Sequence, residues 1–307
     1  MKFYLLLIVL FSCTDIFIPD DDEFKSIYLN GNAWIEIDNQ YDCNNGLRVI
    51  DDSFLIEIYF SGGDNPTNDA GTLFSFVGRN TENFIDDNCN GEWDDTEDFI
   101  DTNGNDEWDS GVEFEDSEYI VLAISNDPSN PNILSFYINN EREEIEINGA
   151  DFTNSNEFHL LQIFIIDGTL YFHLDNIEVY NKENNDIMIQ GESFIVGALA
   201  NDSFIGNLWY GHIDEVRLWK SPLTDEIRSL HYSSSDKLID TMHNNLICDL
   251  VGLWTFNYDN PSADIYDEKC EEINNLNENS CGCNLFLLDG VLYTLPGAEV
   301  AFTLNEF

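Results

Sequence analysis

An all-β, antiparallel sandwich is the fold that this 307-residue chain predicts. Three observations carry that expectation. Short apolar runs, many of them alternating with polar residues, follow one another along most of the length. Glycine, asparagine and aspartate, the residues that turn a chain, separate them. A helical pattern is convincing in one place, Pro222 to His231, where the proline sits near the start as helices favour. With 43% hydrophobic and 13% aromatic residues, a substantial core can form, which argues against global disorder.

Taken in order, Ser26 to Asp38 is two alternating runs around Asn30-Gly31-Asn32, the signature of a hairpin or a tight corner. Phe54–Phe60 and Thr72–Val77 read as core strands, and Tyr119–Ile124 and Ile133–Ile138 continue the pattern. Leu160–Ile166 and Leu170–Leu174 flank Asp167-Gly168, a turn signal. Phe194–Gly197 and Ile213–Trp219 complete the set. In the last, Ile213, Val216, Leu218 and Trp219 are apolar while Asp214, Glu215 and Arg217 are polar. One buried face from Val216 onward follows, with a local irregularity at Asp214-Glu215. Asp214 is expected to make a structural hydrogen bond; a further metal site is the alternative.

The charge is extreme, 60 Asp+Glu against 11 Lys+Arg for a net charge of -49. Nucleic acid is a poor partner for such a chain, because phosphate binding needs the opposite sign. Anionic membrane surfaces repel it as well, and divalent cations are its natural counter-ions.

Residues 84–118 hold 15 of the acidic side chains and no Lys or Arg. Within them one fifteen-residue phrase occurs twice: Phe-Ile-Asp-Asp-Asn-Cys-Asn-Gly-Glu-Trp-Asp-Asp-Thr-Glu-Asp at 84–98, then Phe-Ile-Asp-Thr-Asn-Gly-Asn-Asp-Glu-Trp-Asp-Ser-Gly-Val-Glu at 99–113. Hard cations need several oxygen ligands on a short turning loop, and this spacing supplies them. The first copy resembles the EF-hand loop in its whole ligand pattern, with Asp86, Asn88, Asn90, Glu92 (by its carbonyl), Asp94 and Glu97, and Gly91 at the sharp turn. The second offers Asp101, Asn103, Asn105, Glu107 and Asp109; it has Asp106 in place of the glycine and Val112 in place of the closing acid, with Glu113 one residue later as a substitute. Nothing of helical period flanks either loop. The insert is similar to the tandem "D-x-N-G-N-G-x-W-D" calcium stretches of bacterial surface proteins. Calcium is the expected cofactor, at the modest affinity of extracellular modules, roughly 10⁻⁴–10⁻³ M. Phe84, Phe99 and Phe114, with Trp93 and Trp108, recur at the same fifteen-residue interval and are expected to pack between the loops.

The N-terminus reads as an export signal: Met1-Lys2, then an apolar run from Phe3 to Phe11 too short to span a bilayer. Leu10-Phe11-Ser12-Cys13 resembles a bacterial lipobox, which implies acylation of Cys13 and stable anchoring by several acyl chains. An ordinary secretory signal cut nearby is the alternative. Besides Cys13 there remain Cys43, Cys89, Cys248, Cys270, Cys281 and Cys283, an even number that suggests disulfides in an exported chain without fixing their pairing. A zinc site is the rival, weakened by the single-residue spacer of Cys281-Gly282-Cys283.

The order of segments also resembles a known family. Ser26 to Asp38 is similar to the opening of laminin-G-like, concanavalin A-like modules. Asp167-Gly-Thr-Leu-Tyr-Phe-His-Leu-Asp-Asn-Ile-Glu-Val179 resembles their central hairpin, with Asn176 where glycine is usual. Gly211-His-Ile-Asp-Glu-Val-Arg-Leu-Trp-Lys-Ser-Pro-Leu-Thr-Asp-Glu-Ile227 resembles their "G-x-I-D-E-V-R-I-W-N-R-A-L-S-x-E-E-I". The resemblance implies a jelly-roll sandwich over residues 25–232, interrupted by the insert at 84–118 and preceded by a signal and lipobox at 1–13 and a tether at 14–24. Asp249 to Asn257 with Ile265-Tyr-Asp267 resembles a segment that comes first in many such modules. The cysteine-rich extension 233–307 is therefore expected to complete the sandwich; a truncated second module is the alternative.

Together these readings imply a non-catalytic, calcium-binding, lectin-like or adhesion lipoprotein at the cell surface or outer membrane, with glycan or extracellular protein as partner. A structural surface-layer or filament component, and a polysaccharide-active hydrolase, are the alternatives. Glu92-Trp-Asp94-Asp-Thr-Glu97 resembles a sandwich-fold glycosidase motif. It lies in a loop whose twin lacks the last acid, so calcium explains both copies and catalysis one. No Ser-His-Asp or Cys-His arrangement stands out, and His173 is expected to be packed or exposed rather than catalytic. Trp34 and Trp209 would mark a glycan site if they faced solvent; core packing is the expectation for each.

Overall fold

The computed structural model describes residues 25–38, 53–63, 65, 70–78, 119–127, 129–138, 141–153, 157–183, 193–201, 204–234, 244–256, 264–265, 290–294 and 300–304. In chain order the strands begin with β1 (Lys25–Asn30), β2 (Ala33–Asp38), β3 (Leu55–Gly62), β4 (Gly71–Gly78), β5 (Tyr119–Asp127) and β6 (Asn130–Ile138). Then come β7 (Glu141–Glu146), β8 (His159–Ile166), β9 (Thr169–Leu174), β10 (Ile177–Glu183), β11 (Ser193–Val196) and β12 (Leu199–Asn201). β13 (Phe204–Gly206), β14 (Tyr210–Trp219), helix α1 (Asp225–Ser233), a 3-10 helix (Asn244–Asp249), β15 (Leu250–Trp254), β16 (Asp264–Ile265), β17 (Gly290–Thr294) and β18 (Val300–Leu304) follow.

Two large antiparallel sheets result, with a two-stranded one, β12-β13, beside them. The first runs β10-β9-β8-β3-β14-β1-β18, with β15 also on β14; the second runs β16-β17-β2-β11-β4-β5-β6-β7. They pack face to face as a jelly-roll sandwich. Ile27, Ile56, Ile58, Phe60, Ile163, Phe172 and Leu218 of the first sheet share one buried cluster with Ile35, Ile37, Phe74, Phe76, Ile124, Phe136 and Phe194 of the second. Alternation explains the assignment: residues i and i+2 point the same way, and the apolar set of each strand points between the sheets.

Asn30-Gly31-Asn32 is a corner rather than a hairpin. β1 pairs β14 and β18 in one sheet, whereas β2 pairs β11 and β17 in the other. Gly31 makes that corner at φ +77°, and a Cβ there would strike the Tyr210 ring. In β14 the register with β3 shifts between Ile213 and Val216, so the irregularity expected at Asp214-Glu215 is a β-bulge. Of the later strands, β15 pairs β14, β17 pairs β2 and β18 pairs β1. At one edge the sheets are tied together by Glu143 of β7, which accepts from Tyr180 Oη at 2.6 Å and from Lys182 Nζ at 2.5 Å on β10.

The first sheet is covered on its outer side too. β3 is buried along its whole length, because Leu55 faces a second cluster with Phe164, Trp219, Leu223, Ile227, Ile247, Leu250 and Leu253. Helix α1 and the 3-10 helix supply that cover. α1 starts three residues later than the sequence pattern suggests: Thr224 is its N-cap, accepting from Ile227 N, and Pro222 precedes the cap. Among the described residues no helix is long and apolar enough to cross a membrane.

Candidate functional site

Beneath α1 lies a charged cluster. Alternation that sends Ile56, Ile58 and Phe60 into the core sends Glu57 and Tyr59 outward, under the helix. The Glu57 carboxylate is fully buried. It accepts from Gln162 Nε2 at 2.8 Å, from Trp219 Nε1 at 3.1 Å and from His231 Nδ1, which is 2.8 Å from both oxygens. Arg217 Nη1 stands 3.8 Å away. Burial by itself would raise the carboxyl pKa; the His231 and Arg217 charges and the hydrogen bonds from His231 and Gln162 outweigh it and bring the group down to about 2. Tyr59 donates to the His231 carbonyl, and burial pushes its phenol well above the usual range. Perturbed carboxylates are often a mark of active sites. This one is sealed from solvent and committed to several donors, so it pins α1 to the sheet and is not placed to meet a substrate.

The outer face of the second sheet is the other candidate. Register places Glu36 beside Ile195, Ile195 beside Ser75, Ser75 beside Ala123, Ala123 beside Tyr137 and Tyr137 beside Arg142, a row across five paired strands and on to β7. The adjoining row contains Ser125, Ser135 and Glu144. Small side chains thus occupy the middle of the face, where Thr72, Ser75, Ala123, Ser125 and Ser135 are buried. Thr72 and Ser125 hydroxyls are 2.7 Å apart, and Arg142 Nη2 donates to Ser135 Oγ at 2.9 Å while pairing with Glu144 at 2.8 Å. Ser75 donates to the Ala198 carbonyl at 2.9 Å, and β12 lies against β4 and β5.

Aromatic rings stand at one side of this face. Tyr293 of β17 sits opposite Trp34 of β2 in register. Their rings stack, with centroids 5.4 Å apart and planes 9° from parallel. Trp34 is 6% exposed and Tyr293 40% exposed. Ile195, Ala198 and Leu208 back the indole. Among the described residues Trp34 Nε1 finds no acceptor, and an orphaned buried donor is uncommon enough to call for a reason. Trp209, by contrast, is completely enclosed in the main core against Phe60. Both tryptophans are buried, Trp209 in the main core and Trp34 in a small cluster on the outer face, and the ring beside Trp34 that reaches solvent is Tyr293. Sequence reasoning missed it; the signal was Asp289-Gly290 followed by Val-Leu-Tyr-Thr, a turn and a short alternating run.

His173 packs edge-on against Phe164 at 4.8 Å, and burial together with the Arg228 charge lowers its pKa. Asp214 is nearly buried at the bulge of β14. Among the described residues no group of His, Cys, Asp or Glu side chains is arranged to hold a metal. The expected calcium ligands Asp86, Asn88, Asn90, Glu92, Asp94, Glu97, Asp101, Asn103, Asn105, Glu107, Asp109 and Glu113 all lie outside the described residues, as do Cys13, Cys43, Cys89, Cys270, Cys281 and Cys283. Cys248, at the 3-10 helix, is disulfide-bonded. The insert's roots are described: Gly78 and Tyr119 face each other on the β4–β5 ladder.

No family model matches the chain, and no curated protein does. Among solved structures it is similar to a Bacteroides ovatus protein to which carbohydrate binding is ascribed, at TM-score 0.50 and 10% identity over 91% of this chain. The chain spans 60% of the length of that protein. A heptameric SAP-like pentraxin from Limulus polyphemus aligns at TM-score 0.46 and 11% identity, covering 69% of this chain and 83% of the other. The CBM40 module of a Ruminococcus gnavus sialidase aligns at 0.41 and 10% identity, over 66% of this chain and 93% of the module. What is shared with the Bacteroides ovatus protein at 10% identity is the fold.

Proposed function

We propose that this chain is a non-catalytic, lectin-like surface protein that binds glycan on the outer face of its second sheet. The observation that carries the reading is the Trp34–Tyr293 stack. The Tyr293 ring is 40% exposed and is held flat against the buried Trp34 indole, an apolar platform of the kind that ligand sites use. The carbohydrate binding ascribed to the Bacteroides ovatus protein of like fold supports it. The test is a glycan array probed with the full chain. Saturable binding to defined glycans is expected, and a blank array would sink the reading. Incubating the protein with each glycan it retains should release no new reducing ends; their appearance would make it an enzyme.

Calcium belongs to the proposal through residues 84–118. Their repeated oxygen ligands and 15 acidic side chains without a cation favour a divalent counter-ion, and their roots hang from the second sheet. Asp and Glu are already ionised at neutral pH, so uptake should release few protons. Titration calorimetry should show uptake in the roughly 10⁻⁴–10⁻³ M range, lost when Asp86 and Asp101 are both changed to alanine. Attachment to a membrane through acylated Cys13 is the third part, checked by metabolic labelling with a fatty acid and by its loss in Cys13→Ala.

A further inference from the structure

We propose that the strip between helix α1 and strand β10, on the outer side of the first sheet, docks a basic segment of a partner protein, with a lysine side chain lying between Glu178 and Asp225. This surface is separate from the Trp34–Tyr293 platform, which belongs to the other sheet. Leu170, Phe172 and Leu174 of β9 point into the main core, so alternation turns Tyr171 and His173 outward. Both are half-buried, and register sets the exposed Asn181 beside Tyr171 and the exposed Glu178 beside His173 on β10. Tyr171 stacks on the buried Phe164, with centroids 5.4 Å apart and planes 16° from parallel. His173 meets the same ring edge-on. Two half-open rings, held by a buried one, therefore line the strip.

Helix α1 borders it. Asp225, Ser229 and Tyr232 recur at helical spacing and share one side of α1. Ser229 Oγ donates to Asn176 Oδ1 at 3.2 Å, which turns that side towards the β9–β10 turn. Tyr232 is 50% exposed, and the Asp225 side chain 87% exposed. Glu178 and Asp225 both act on the charge of His173, so the two carboxylates approach the imidazole from opposite borders. Burial, with the Arg228 charge, holds the His173 pKa below its usual value, so the ring is neutral at neutral pH and repels no cation. Arg228 pairs with Asp225 from beneath, buried with its guanidinium 3.9 Å from the Phe164 ring. The charged groups of the strip that reach solvent, Glu178 and Asp225, are therefore acids. Phenol rings beside carboxylates suit an ammonium group, drawn by the ring quadrupole as well as by charge. A net charge of -49 also speeds the approach of a basic partner.

The test is zero-length carbodiimide coupling of the full chain to an acetylated lysine–leucine peptide, at about 0.15 M salt to screen long-range attraction, with the adducts mapped by mass spectrometry. Coupling at Glu178 and Asp225 is expected at several times the yield at Glu141 and Glu146, exposed carboxylates of β7 on the other sheet. Tyr232→Ala, at an exposed position, should cut the yield in the strip and leave that at β7 as it was. Glu178→Gln, on the edge strand, should weaken the peptide's affinity roughly two- to fivefold in titration calorimetry, the range of one exposed ion pair, whereas Glu141→Gln should not. Circular dichroism and the melting curve confirm that each variant is folded. Yields that follow exposure alone at all four carboxylates would mean attraction by the overall field and overturn the proposal. So would an affinity indifferent to Glu178→Gln, or no coupling at all. None of these outcomes bears on the glycan array.

Discussion

Glu57 is the residue on which the helix-covered face turns. Removing one partner from a buried, hydrogen-bonded charge cluster leaves the others uncompensated. Glu57→Gln keeps the shape but sets an amide against donors from Gln162, Trp219 and His231. It should cost on the order of 3 kcal/mol in urea unfolding. The same residue fixes a response to acid. In the folded chain its pKa, about 2, lies below the ordinary carboxyl value of 4.5. The stabilisation is therefore complete above about pH 4.5 and drains away as pH falls towards 2, a change on the order of 3 kcal/mol. Unfolding midpoints between those pH values should fall in the native chain and change less in Glu57→Gln. Little of this was legible beforehand: Leu-Ile-Glu-Ile-Tyr-Phe reads as a core strand, and nothing local says that its lone acid meets a histidine 174 positions away.

At the scale of elements, alternation revealed the strands that have one apolar face, and the bulge in β14 showed itself as a break in that alternation. β7 was not visible, because Glu-Arg-Glu-Glu-Ile-Glu has one apolar residue, Ile145, which packs on the core. β7 is a sheet edge, and charge there discourages pairing with a second molecule. The outer face was illegible for another reason. Its rows are assembled by register between strands far apart in sequence, and no local pattern encodes which residues become neighbours. The expected calcium ligands rest on repetition alone and lie outside the described residues, so their test is chemical. Helix α1 makes its own prediction. Thr224 Oγ1 accepts from Ile227 N at 3.4 Å, a long cap bond, so Thr224→Ala should lower stability by about 0.5–1 kcal/mol, measured as a shifted urea midpoint with unchanged slope.

For the molecule as a whole, the dominant quantity is 60 Asp+Glu against 11 Lys+Arg. Compacting that charge opposes folding, and salt screens it within about 10 Å at 0.1 M. Sodium chloride should therefore raise the melting temperature by several degrees between low and moderate ionic strength. Calcium should raise it further than sodium at equal ionic strength if residues 84–118 hold the ion specifically; equal effects would mean screening alone. The two sheets draw on segments from both ends of the chain, since β1 lies between β14 and β18. Such long-range closure is entropically costly and slow to form.

The facing pair Gly78 and Tyr119 has a consequence for how this architecture tolerates change. The polypeptide departs and comes back on one rung of the ladder, and lengthening a loop costs only a logarithmic entropy. Whatever lies between is a cassette: exchanging 79–118 for a two-residue Asn-Gly turn should leave a chain that still melts in one transition. A ladder closed on one rung in this way can take connections of very different length between the same two strands.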